Sequence, residues 1–116
     1  MLLFREEIPE NKSLLIMKQI ERIKSMELHL DRASHAVMQL SAALDEYAAA
    51  QTAISELSTY YGSDEWKDDL ASDEQGLLPQ DLKRGVLSED GIWNLLSDSR
   101  ALNIRMLEVV TEILKK

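Results

Sequence analysis

The sequence predicts an all-α protein: a long N-terminal helix and a C-terminal helix packed antiparallel, joined by a segment with one or two short helices, as a helical hairpin or bundle. Three observations carry this. From Lys12 to Tyr61 there is neither glycine nor proline. Over the same stretch apolar residues recur at alternating steps of three and four, and no run alternates apolar and polar as a half-buried strand would. Only six of 116 residues are aromatic, so the apolar content of 45% is mostly Leu, Ile, Val, Met and Ala, which suits helix packing.

Residues 1–11 read as an irregular lead-in, punctuated by Pro9 and Asn11, with Asn11 or Ser13 available to cap the first helix. Residues 12–116 form a single helical domain. Its first helix spans about 12–61, with a seam of Ile23, Met26, Leu30, Ala33, Val37, Leu40, Leu44 and Tyr47. Ile16 and Ile54 extend that series at heptad spacing, with Gln19 and Gln51 as polar interruptions. This is a narrow stripe of coiled-coil type. Gly62 is placed as a left-handed C-terminal cap. Ser63, followed by Asp64 and Glu65, reads as a new helix start, with acids answering the dipole. That short helix runs to about Gln75 and stops at Gly76. Pro79 to Arg84 is a turn or two that ends at Gly85. Ser88 caps the last helix, about 88–115, whose apolar face is broader than the seam of the first.

A helix of fifty residues extends ~75 Å and one of 28 only ~42 Å. The last helix therefore covers part of the first, and Ile16, Ile23, Met26 and Leu30 still need burial. Either the long helix breaks near residues 47–51 and folds back, or a second copy covers the excess as a homodimer. Ala48-Ala49-Ala50 is strongly helix-forming and gives no local reason for a break.

Formal charge is −8 and unevenly spread: residues 1–60 carry net −3, residues 61–90 net −6 and residues 91–116 net +1. An acidic chain without a basic stripe repels phosphate backbones and anionic headgroups, which argues against nucleic-acid and membrane partners. Cysteine is absent, which removes thiolate catalysis and cysteine zinc sites and fits a reducing cytoplasm. The N-terminus lacks the basic and apolar regions of a signal peptide, and no run approaches the ~20 apolar residues of a membrane span.

The densest information lies in Tyr60-Tyr61-Gly62-Ser63-Asp64-Glu65-Trp66, Leu78-Pro79, and Asp81-Leu82-Lys83-Arg84-Gly85-Val86-Leu87-Ser88-Glu89-Asp90. Together with Met17-Lys18-Gln19-Ile20-Glu21-Arg22-Ile23 and the last helix, these segments resemble the small bacterial helical proteins of the domain of unknown function family DUF4298. The resemblance covers roughly Met17 to the C-terminus and leaves residues 1–16 as an extension. It implies a helical fold and a bacterial cytosolic setting. It implies no activity, cofactor or catalytic residue.

Six acids lie between Asp64 and Glu74. Adjacent helical acids diverge by ~100° and lack the central glycine of a calcium loop, so an acidic solvated turn is the better reading than a metal site. Asp31 and His35 share a helical face without a third ligand, and His29 points elsewhere; a surface ion pair accounts for them. No nucleophile elbow, phosphate loop or dinucleotide glycine pattern occurs, and Ser63 and Ser88 are accounted for as caps. No catalytic, cofactor or metal residue is assigned.

Tyr61, Trp66 and Trp93 gather around the central segment with Lys83 and Arg84, and aromatics and arginine are enriched at binding hot spots. Their alternative roles are structural: the aromatics pin an irregular connection, and the basic pair answers a helix end and the acids of residues 64–74. The leading expectation is a non-enzymatic interaction or scaffold module presenting this segment to a protein partner. The alternative is an acidic inhibitor or antitoxin-like protein that masks a basic site. Self-association is expected through Ile16, Ile23, Met26 and Leu30.

Overall fold

A computed structural model describes residues 9–116; most of the lead-in, residues 1–8, lies outside them. The described chain is all-α. Helix α1 spans Glu10–Tyr61, α2 Asp64–Glu74 and α3 Gly91–Leu114, with one 3-10 turn at Gly85–Leu87. The order long helix, connecting segment, last helix is that of a helical hairpin, and no strand occurs among the described residues. The chain divides into two units at Ala48 and Ala49.

In the first unit α1 begins at Glu10, two residues before the expected start. Asn11 and Ser13 consequently lie inside the first turn instead of capping it. The Asn11 side chain accepts from the Lys12 amide (2.9 Å), and the Ser13 amide donates back to the Pro9 carbonyl (2.8 Å). Glu10 puts a negative charge where the helix dipole favours it. α1 is one helix through Ala48-Ala49-Ala50, without the break near residues 47–51.

In the second unit, α1 ends differently from the expected left-handed cap. Gly62 does not take a positive φ; among the described residues that conformation belongs to Gly76 alone (φ 73°). Ser63 explains the difference. Its amide and its hydroxyl both donate to the Tyr60 carbonyl, at 3.0 and 2.6 Å, so the chain turns tightly through Gly62. The same Ser63 oxygen accepts from the Trp66 amide (3.2 Å) and caps α2. One serine thus closes one helix and opens the next.

α2 ends in a Schellman motif. The Leu77 amide donates to Ser72 and the Gly76 amide to Asp73, both at 3.0 Å, which requires the left-handed turn at Gly76. Residues 79–82 make a single turn, with the Leu82 amide on the Pro79 carbonyl (3.2 Å). The short helix expected to finish at Gly85 instead starts there, as the 3-10 turn. Ser88 follows that turn, so α3 starts at Gly91 and not at residue 88. Ser88 still contributes: its hydroxyl donates to the Gly85 carbonyl (2.7 Å) and accepts from the Gly91 amide (3.0 Å).

α2 and α3 both approach the 3-10 turn. The buried apolar side chains among the described residues are there: Leu87, 9% exposed, and Ile92, 3%. Elsewhere large apolar side chains face outward, including Ile23, Met26, Leu30, Val37 and Leu40 on α1 and Leu102, Leu107 and Val109 on α3.

Candidate functional site

The central segment is organised by two side chains that reach it from α2 and from the loop. Trp66, on the first turn of α2, lays its indole edge-to-face against Tyr61 (centroids 4.9 Å apart, planes at 65°). Its indole N–H donates to the Val86 carbonyl (3.0 Å). This bond pins the 3-10 turn to α2 and satisfies the polar end of a half-buried ring. Tyr60, one residue before Tyr61, donates its hydroxyl to Asp69 one face over (2.6 Å). That bond to a carboxylate, then partial burial and the charges of Asp69 and Glu65, push the Tyr60 phenol up to about 12.

Arg84 organises the loop from the other side. Its Nε donates to Asp73 at the end of α2, as an ion pair. Nη1 donates to the Gln80 and Leu82 carbonyls (3.1 and 2.9 Å), and Nη2 to those of Leu78 (3.3 Å) and Pro79. All five guanidinium N–H groups are engaged within the chain. Loop 78–84 therefore wraps around one arginine head.

Lys83 is exposed and borders an open depression of about 430 Å³. Leu57 from α1, Val86 from the 3-10 turn, and Ile92 and Leu95 from α3 supply its apolar wall, with Gly85 and Gly91 between them. Gly91 is required: a Cβ there would be driven into the Gly85 carbonyl oxygen and the Ser88 hydroxyl. Lys83 is the one charged side chain in this lining.

The five residues singled out in the sequence thus separate into groups. Tyr61 and Trp66 come together and support the turn. Arg84 is turned into its own loop. Lys83 faces the depression. Trp93, 58% exposed on the first turn of α3, lies outside the depression's lining. Ile23, Met26 and Leu30 are exposed on α1, and Ile16 is partly covered. Sequence reasoning missed Leu57, Val86, Ile92 and Leu95 as site residues. Leu57 lies off the heptad seam, and that displacement was the available signal.

Among the described residues no group of three His, Cys, Asp or Glu is placed to hold a metal ion, and no helix is long and apolar enough to cross a membrane. A family model described as domain of unknown function DUF4298 matches residues 23–109. No curated protein and no solved structure matches the chain.

Proposed function

Because the chain belongs to the DUF4298 family of unknown function, we propose its role from the site itself: a non-enzymatic protein-interaction module that docks a partner segment at the Lys83 depression. The observation that carries this reading is the apolar wall of Leu57, Val86, Ile92 and Leu95 beside a single exposed ammonium group. Such a lining suits an apolar side chain next to a carboxylate, the first filling the depression and the second meeting Lys83. The partner class is therefore a protein segment with an acid beside a bulky apolar residue. The turn that shapes the depression is fixed by Trp66 and Arg84, so the surface is organised before the partner arrives. The setting we propose is the bacterial cytosol, which rests on the family resemblance and the cysteine-free composition.

A second reading is an acidic inhibitor or antitoxin-like protein. It is favoured by α2, where Asp64, Glu65, Asp68 and Glu74 form no ion pair among the described residues. Affinity capture from the native cell distinguishes the two. Under the first reading Lys83→Glu loses the partner, while Asp64→Lys/Asp68→Lys keeps it. Under the second the outcomes exchange. Retention of the same partner by Lys83→Glu overturns the docking reading.

A further inference from the structure

The first unit exposes a continuous apolar seam that its own described residues leave open, and we infer that a second copy of this chain covers it as a parallel, in-register coiled coil. Written as a heptad, Ile16, Ile23, Leu30, Val37 and Leu44 occupy the a positions and Gln19, Met26, Ala33 and Leu40 the d positions. Ile20 lies beside them and widens the stripe. Seven of these side chains, Ile20 and the six from Ile23 to Leu44 other than Ala33, are large, apolar and exposed.

The area is sufficient. Two chains contribute fourteen such side chains, and each loses roughly 60–120 Å² on burial. The total, about 800–1,700 Å², reaches the ~1,200–2,000 Å² of a stable interface.

Charge selects the partner and the direction. Between residues 16 and 44 the e positions are Ile20, Glu27, Ser34 and Ser41, with Glu27 the only charge. The g positions are Arg22, His29, Ala36 and Ala43, with Arg22 the only acid or base other than histidine. Parallel helices set each g position against the e position of the next heptad, five residues on. Arg22 of each copy then meets Glu27 of the other, twice per dimer. Antiparallel helices set e against e and g against g, so Arg22 never meets Glu27 and the attractive pair is lost. Neither Arg22 nor Glu27 forms an ion pair among the described residues. Gln19 fixes the register of that parallel pair. In register, two Gln19 amides face each other across the seam and hydrogen-bond, whereas a parallel pairing slipped by one heptad sets each buried amide against an apolar layer.

The β-branched residues at three of the five a positions, Ile16, Ile23 and Val37, favour two strands over three or four in a parallel coiled coil. The seam shares no residue with the Lys83 depression, and the failure of either proposal leaves the other intact.

Sedimentation of the full chain at tens of micromolar tests the inference. The wild type sediments as a dimer. Arg22→Glu and Glu27→Arg, both at exposed positions, each weaken the dimer about fivefold, because two attractive contacts become repulsive. The combined reversal Arg22→Glu/Glu27→Arg restores it to within about twofold. The chain has no cysteine, so Met26→Cys provides a clean report of direction: mild oxidation crosslinks the variant to itself when two copies run parallel and in register. A monomeric wild type overturns the inference. So does a dimer whose affinity ignores both single reversals, or one in which Met26→Cys fails to crosslink.

Discussion

Replacing Arg84 by alanine should collapse loop 78–84 and cost more than any exposed charge could. The magnitude rests on its partners. The ion pair to Asp73 involves side chains 29% and 24% exposed, so it lies near the upper end for such pairs, about 1 kcal/mol. Four carbonyl bonds from a charged donor, in a loop that water reaches once it opens, add about 0.5 kcal/mol each. The expected loss is about 2–3 kcal/mol, or about 2 M in the urea midpoint at fixed protein concentration. Asp73→Ala removes only the ion pair and should cost about 1 kcal/mol. Hydrogen exchange locates the damage: the Leu82 and Leu87 amides, bonded to the Pro79 and Arg84 carbonyls, should lose protection in Arg84→Ala first. If Arg84→Ala and Asp73→Ala cost the same, the four carbonyl bonds contribute nothing and the account of the loop is wrong. The comparison also bears on function. Loss of a partner in Arg84→Ala reports a collapsed surface, whereas loss in Lys83→Glu reports a lost contact.

The geometry of the turn and of its tyrosine leads to two further outcomes. Gly91→Ala forces a methyl group against the Gly85 carbonyl and the Ser88 hydroxyl and should destabilise by about 2 kcal/mol, read as a lowered unfolding midpoint; an unchanged midpoint means the backbone yields freely there. Tyr60 should ionise late. Its folded pKa, about 12 against the ordinary 10.0, favours the neutral phenol, so the stability it contributes is complete below pH 10 and disappears as pH rises toward 12. Phenolate absorbance should show a late step near pH 12 that Tyr60→Phe removes; the absence of that step would contradict the Asp69 bond.

The helices are legible in the sequence because they rest on local rules. A stretch without glycine or proline becomes α1, and Ser63 with its acids starts α2 through a bond three residues long. The misplaced cap also has a local cause: Gly62 has the composition of a left-handed cap, but Ser63 folds back onto the Tyr60 carbonyl and makes that conformation unnecessary. Arg84 reads as a candidate contact because composition shows a charge and not what surrounds it. Five acceptors drawn from residues 73–82 converge on it only when the loop closes. The Lys83 depression is illegible for the same reason, since Leu57 and Leu95 are 38 residues apart in sequence. The seam on α1 is the intermediate case. Its periodicity states which face is apolar, while the identity of what covers it depends on charges at flanking positions.

The tight linkage at Ser63 and the 3-10 turn has a consequence for how the chain acquires its structure. Nearly every approach between backbone segments joins residues close in sequence, so little loop-closure entropy opposes folding of a single chain. Helices of this kind form in about a microsecond. If the seam on α1 is covered by a second copy, the slow event is the meeting of two chains and not the folding of either. Recovery of helical signal after dilution from urea should then separate into an early phase indifferent to protein concentration and a later one that accelerates with it. That later phase should vanish in Arg22→Glu at concentrations where the reversed charge keeps the chains apart.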